Sequence, residues 1–322
     1  EGRRAGRRLL VLRQRHGERG SDDPWTRERS QAAPASFSFL FAETDGLVIQ
    51  LHVEPRVTKT WVEFQEDNPP FSMALDGYVD GPPAFSPKGP HVNFDHHRLV
   101  DRLSTRSTCM QVYMAVTMGL FDTFSKDGEP HAELFVNDAD QDTALAIWVL
   151  RNPERCEGIL VHQPLARLLI GEDAIDCTGG AYPVEPDAPF MQEQAWIFEP
   201  YFDARTAGVL TTLGAEDMHA VIQAVSVRIT AYVEGRGERV ELDTRYDRIG
   251  GGDGWEMIVE HGAHARTGLF ASGVRAYVAV RENDDGTFVY TLGKMSPFVQ
   301  FPVQELYDVL NAEEGRESGP TG

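Results

Sequence analysis

Four groups of carboxylate and imidazole side chains punctuate the middle of this chain. They are Asp76 and Asp80 in LDGYVDG, Asp95-His96-His97 in NFDHH, Asp138, Asp140 and Asp142 in VNDADQD, and Asp176 in IDCTGG. Like charges gathered in a fold raise one another's pKa unless a cation neutralises them. A pair of divalent ions would relieve that cost. Carboxylates with one or two imidazoles suit Mn²⁺ or Mg²⁺, whereas Zn²⁺ favours Cys and His. Two such ions about 3.5–4 Å apart can hold a bridging hydroxide and clamp a phosphoryl group.

Each group also has a plain structural reading. Asp-Gly at 76–77 and 80–81 is a common turn signature. A His-His pair often sits in a core or on a surface, and Asp142 could cap the helix that starts at Thr143. A calcium loop counted from Asp138 fails, because Thr143 falls where Gly is needed and Val149 where the bidentate Glu belongs. The four groups gain weight together.

The elements that would position them are legible around them. FSFLFA and LVIQLHVE read as a strand, a turn and a strand, and TKTWVEFQ as another alternating segment. Residues 69–91 are dense in Pro and Gly and read as turns without regular structure. HVNF is a short strand running into Asp95, and TCMQVYMAVTMGLFDTF has helical spacing with a Gly in its second half. HAELFVND is a strand ending in the third acidic group, TALAIWVLR a helix, and PLARLLIGEDAID a helix ending at Cys177-Thr178-Gly179-Gly180. Strand, acidic turn and helix in repetition is the pattern of an α/β sheet, where ligands collect at the carboxyl ends of strands.

Beyond Phe190 the character shifts. MQEQAWIFEPYFDARTAG and EDMHAVIQAVSVRITAYVEG read as helices, and GGGDGWE as a glycine-rich turn. WEMIVEHG, VRAYVAVRE, a DDG turn and TFVYTLG form a small sheet with a hairpin, and QELYDVLNAE closes as a helix. The expected organisation is a disordered lead-in over 1–35, a metal-binding α/β domain over 36–190, a smaller α+β substrate-binding domain over 191–312 and a disordered tail over 313–322. The fold class expected is α/β, with a mostly parallel sheet flanked by helices.

These residues resemble the DHH phosphoesterase superfamily, named for its Asp-His-His signature. Asp95-His96-His97, then Ser107-Thr108 opening a helix, is similar to the signature, its spacer and its small hydroxyl residues. Asp138-Ala-Asp140-Gln-Asp142-Thr-Ala-Leu-Ala resembles the family's first motif, an Asp-x-Asp entering a small-residue helix. Asp76 or Asp80 resembles the single aspartate of the second motif, and Asp176-Cys-Thr-Gly-Gly the fourth. The Asp-x-Asp motif precedes Asp-His-His in the family and follows it here, an order that implies a rearranged relative. The family's His upstream of the first motif is replaced by Asn137 or Asp138.

The resemblance implies a two-metal hydrolase acting on a phosphoric ester or anhydride. Asp95, Asp138, Asp140, Asp142 and Asp176 would ligate Mn²⁺ or Mg²⁺, with Asp76 or Asp80 completing one site. One of His96 and His97 would be ligand or general acid, and the other would be held by a neighbouring group. Arg98, Arg102, Arg106, Lys88 and Ser107 are near enough in sequence to grip phosphate oxygens. His264 and Arg266 would touch substrate from the second domain. The rival expectations are a catalytically silent relative that binds a nucleotide or partner protein, and a domain in which metal serves stability alone.

Composition narrows the partners. The chain has 322 residues and a net charge of −20, which disfavours long nucleic acid and anionic lipid and favours a small phosphorylated substrate. No apolar run approaches the roughly 18–20 residues of a membrane span. Three widely spaced cysteines, Cys109, Cys156 and Cys177, make a disulfide scaffold or zinc ribbon a poor reading and point to a cytoplasmic setting. Oligomeric state stays open between monomer and homodimer. No Gly-x-Ser-x-Gly elbow, phosphate-binding Gly-x-x-x-x-Gly-Lys-Ser/Thr loop or His-Glu-x-x-His occurs.

Overall fold

The computed structural model describes residues 37–40, 48–156, 163–180, 182, 184–282, 286, 288–313 and 315. The expected lead-in over 1–35 lies outside the described residues, as does most of the expected tail. The architecture is mixed α/β with two sheets.

The first sheet begins with β1 (Phe37–Leu40) antiparallel to β2 (Val48–Val53), as the strand-turn-strand pattern predicts. TKTWVEFQ departs from expectation and forms helix α1 (Trp61–Asp67). A reciprocal capping box decides it. The Thr60 hydroxyl accepts from the Glu63 amide at 3.2 Å, and the Glu63 carboxylate accepts from the Thr60 amide at 2.8 Å. A Thr-x-x-Glu start satisfies two orphan amides at once and outweighs a weak alternation.

The Pro- and Gly-rich stretch also holds more than turns. It contains β3 (Ser72–Leu75) and β4 (Ala84–Ser86), followed by β5 (His91–Phe94). Then come α2 (Thr108–Thr117), a short α3 (Leu120–Thr123), β6 (Ser125–Lys126), β7 (Glu129–Val136), α4 (Gln141–Arg151) and α5 (Gln163–Cys177). Gly119, at φ 95°, ends the helical run that the sequence reads as continuous.

Strand order is β1-β2-β7-β3-β5-β4, with β6 paired to β7. The four inner strands β2, β7, β3 and β5 run parallel. Every residue of β3 and β5 is buried, as parallel strands covered on both faces require. One face packs Leu51, Met73, Leu75, Leu134 and Val136 against Val112, Leu145 and Leu168 of the helices. The other packs Ala74 and Phe135 against Phe64 of α1.

Helix α6 (Pro189–Thr206) begins near residue 190, and α7 (Ala215–Val233) follows it. Ile197, Phe198, Ile222, Val225 and Ile229 from these two helices join the core of the first sheet. The second sheet follows, with β8 (Tyr246–Gly252), β9 (Trp255–Glu260), helix α8 (Ala265–Ala271), β10 (Ala276–Glu282), β11 (Phe288–Lys294) and helix α9 (Val303–Glu313). Its order is β11-β10-β9-β8, with β9 and β10 parallel and the hairpin β10–β11 antiparallel. The glycine run at 250–252, expected as a turn, is a strand carrying a bulge between Arg248 and Gly250. Among the described residues no helix is long and apolar enough to cross a membrane.

Candidate metal centre

Because β7, β3 and β5 are adjacent and parallel, their carboxyl ends open on one edge of the sheet. Asp76 follows β3 in a left-handed backbone conformation, φ 51°, and its amide donates to the Phe94 carbonyl of β5 at 2.9 Å. Asp95, His96 and His97 follow β5, while Asn137, Asp138 and Asp140 follow β7. Asp176 reaches the same edge from the last turn of α5, the helix that the sequence reads there. Asp142 is corrected in role. Asp140, not Asp142, caps α4, accepting from the Thr143 amide at 2.8 Å. Asp142 instead accepts from the Thr108 and Cys109 amides at 2.6 and 2.7 Å, anchoring the first turn of α2.

His96 is the centre of the cluster and is fully buried. Its Nε2 lies 2.7 Å from Asp176 Oδ2, 3.6 Å from Asp142 Oδ2 and 3.7 Å from Asp76 Oδ1. None of these contacts is aligned as a hydrogen bond, and Nδ1 is also without a partner. His97 Nδ1 is 2.9 Å from Asp95 Oδ1 and 3.4 Å from Asp76 Oδ1, with its ring 29% exposed at the mouth. Asp95 Oδ1 also accepts the His96 and His97 amides at 2.8 and 3.1 Å, leaving its buried Oδ2 without a partner. The Thr108 and Thr143 hydroxyls each donate to one oxygen of Asp76, at 2.9 and 3.1 Å.

The electrostatics record the crowding. Burial, then the charges of Asp76 and Asp176, push Asp140 up to about 8. Burial and Asp140 push Asp138 up to about 6. Asp76 and Asp142 are raised, chiefly by burial. Burial opposes a charged His97, yet its bond to Asp95 and the charge of Asp76 carry it up to about 9. Burial would raise Asp176, but His96 and Arg102 hold it below the usual carboxylate value.

The donor set fits a divalent ion. Asp76, His96 and His97 form one group, and His96, Asp142 and Asp176 another, each with donor atoms within 4.8 Å of one another. Buried imidazole nitrogens facing carboxylate oxygens without hydrogen-bond alignment, beside an unpartnered carboxylate oxygen, are what a cation would satisfy.

The remaining expected residues divide. Of the two alternatives Asp76 and Asp80, only Asp76 enters the cluster. Asp80 is 45% exposed and pairs with Arg98 at 2.6 Å on the rim of a cleft that also exposes His97, Asp138 and Asp140. Arg102 reaches Asp176, donating to its carbonyl at 3.0 Å and lying 3.5 Å from Oδ2. Arg106 is turned to Asp173 at 2.8 Å and is 65% exposed. Ser107 is buried, with its amide on Asp173 and its hydroxyl against Cys109, so it faces no cleft. Lys88 is exposed on the turn after β4. His264, with its ring against Phe202, and Arg266 line a second cavity of about 180 Å³ together with Asp176.

Several participants went unnoticed in the sequence. Thr143 orients Asp76. Gln111 donates to the Asp95 carbonyl at 2.9 Å. Glu172, buried and paired with Gln194, shares the wall of the second cavity with Asp176. The signal available was the spacing of Glu172 and Asp176, one helical turn apart on α5. Compared with family models, with curated proteins and with solved structures, the chain finds no match.

Proposed function

We propose that this chain is a metal-dependent hydrolase of phosphoric esters or anhydrides, related to the DHH phosphoesterases with its motifs in a different chain order. The observation that carries the reading is the convergence of Asp76, Asp142 and Asp176 on His96, a buried imidazole without an aligned hydrogen bond, with Asp95 on the neighbouring His97. The strand carrying Asp138 and Asp140 neighbours that carrying Asp76, which neighbours that carrying Asp95. Sheet order, not chain order, therefore sets which motifs meet.

Asp76, Asp95, His96, Asp140, Asp142 and Asp176 would hold Mn²⁺ or Mg²⁺, with Asp138 and His97 toward the mouth. Bound there, a pair of ions supplies an activated water and charge neutralisation for a phosphoryl group. The protein's own contribution is positional. Asp95 holds His97 through Nδ1, at the edge of the cleft where a leaving oxygen would need a proton. Arg98 stands on the same rim as a phosphate-gripping guanidinium, and Arg102 steadies Asp176. The acidic balance of the chain favours a small phosphorylated substrate.

The test is calorimetric titration of Mn²⁺ into chelated protein, beside turnover of bis(p-nitrophenyl) phosphate and of pyrophosphate. Tight binding with turnover is expected. Failure to bind Mn²⁺ overturns the reading, and nucleotide binding without hydrolysis would make the chain a silent relative.

A further inference from the structure

Two guanidinium groups meet one carboxylate where α6 approaches the second sheet, and a third, that of Arg281, lines the same cavity. The strand registers Arg281↔Val289 and Ala279↔Thr291 put Arg281, Val289 and Thr291 on one face, and Glu260 ends β9 one position beyond Val259, the partner of Val280. Tyr201 and Arg205, one turn apart on α6, complete a cavity of about 220 Å³ with these residues. Glu260 Oε2 accepts from Arg205 Nη2 at 3.3 Å, while its buried Oε1 lies 3.0 Å from Arg266 Nε without an aligned hydrogen bond. Arg205 Nη1 also donates to the Ala263 carbonyl at 3.2 Å, and Arg266 Nη1 to the Tyr277 hydroxyl at 3.3 Å. Arg281 Nε is buried with no hydrogen-bond partner.

The charge is unbalanced toward the positive in a chain whose net charge is −20. Guanidiniums are poorly compensated when withdrawn from water without carboxylates of their own. Burial and the neighbouring Arg266 push Arg205 down to about 10, although Glu260 opposes them. Tyr201 is shifted the other way, by burial and by Asp140 and Asp138, so its hydroxyl stays protonated and able to donate. None of the clustered aspartates lines this cavity, whereas Arg205 also lines the one that contains Asp176. Forked guanidiniums with two hydroxyls nearby are the donor set that matches a tetrahedral phosphoryl oxyanion.

We propose that the cavity between α6 and the second sheet is a phosphate-binding site, in which Arg205 and Arg281 grip the oxyanion and Tyr201 and Thr291 donate to it. The phosphate is either free in solution or the distal group of a molecule whose other end reaches the metal centre. Only the second source rests on the hydrolase reading.

The experiment is calorimetric titration of inorganic phosphate into the chelated full chain, where metal plays no part. One site is expected, weakened about tenfold or more in Arg281→Gln, the loss of a charge-assisted hydrogen bond. Phosphate should also raise the melting temperature of the parent and not that of Arg281→Gln, whose parent-like far-UV circular dichroism would report that it is folded. No phosphate binding by the parent, or equal affinity in Arg281→Gln, overturns the site. With Mn²⁺ present, a KM rise in Arg281→Gln confined to diesters bearing a terminal phosphate identifies the distal-group source. Equal KM for both kinds of diester, with phosphate binding still lost, identifies the free anion.

Discussion

His96 Nε2 lies 2.7 Å from Asp176 Oδ2, tying the loop after β5 to the last turn of α5. The contact is short yet not aligned along the ring N–H, and the imidazole is sealed from solvent. Asp76 and Asp142 approach the same nitrogen within 3.7 Å. A neutral core histidine would direct its nitrogens at well-placed donors or acceptors. Here one nitrogen faces three carboxylates, an arrangement that could hold a metal ion.

Asp140 combines two roles that separate by substitution. Its side chain caps α4 and its charge belongs to the cluster. Asp140→Asn keeps a good capping residue and removes the charge, so Mn²⁺ affinity should fall steeply with stability retained. Asp140→Ala should lose both, with about 1 kcal/mol of folding stability gone with the cap. Calorimetry beside urea denaturation measures the two effects, and an Asp140→Asn variant that binds Mn²⁺ like the parent would refute the ligand role.

The metal-free protein should lose stability as pH rises. Asp140 is raised from 3.8 to about 8 and His97 from 6.5 to about 9. A group with a raised folded-state pKa contributes stability that is whole below its unfolded value and is lost as pH climbs through the folded one. Both groups therefore act in the same direction, across the span from 3.8 to about 9. Melting temperature with a chelator present should decline over that span, and Mn²⁺ should flatten the decline. A profile already flat without metal would contradict the crowding.

Asp142 is predicted to matter to folding as much as to metal. It receives the first two amides of α2, and those donors would be buried and unpaired in its absence. Asp142→Ala should cost about 2–4 kcal/mol, with Asp142→Asn keeping part of it. Urea midpoints measure this, and equal midpoints for parent and alanine variant would show that water or a neighbour replaces the carboxylate.

Thr108 and Thr143 should tune the site without touching a substrate. Their hydroxyls occupy one oxygen each of Asp76 and fix its orientation. Thr108→Val and Thr143→Val, near-isosteric, should each weaken Mn²⁺ binding about tenfold, as loss of an outer partner of a ligand does. Unchanged affinity in both would mean that Asp76 is oriented by the backbone alone.

Some of this was legible in the chain and some was not, for physical reasons. Asp95-His96-His97 after HVNF, and Asp138 through Asp142 before TALAIWVLR, were readable because short buried strands and strong helix formers bracket them. The alternation in TKTWVEFQ misled, since Thr60 and Glu63 cap a helix locally. Strand β3 was hidden because only four residues separate two proline- and glycine-rich turns. Asp76 and Asp80 both precede Gly, and no local rule distinguishes them. The distinction comes from Asp76 docking on the Phe94 carbonyl, while Asp80 turns outward to Arg98. Glu172 and Asp173 were missed because acids on a helix read as its wet face until the helix is packed.

The amino-acid sequence by itself determined the carboxylate and imidazole types, the surplus of negative charge and the alternation of strand and helix that makes a parallel sheet. These follow from residue chemistry and from local periodicity. Only the tertiary structure decided which acids meet, that the end of α5 brings Asp176 to His96, that Asp142 anchors α2 and that Arg281 shares a face with Glu260 and a cavity with Arg205. Those facts depend on strand order and register, which are set by how apolar faces bury against one another over long separations, and no window of sequence contains that information.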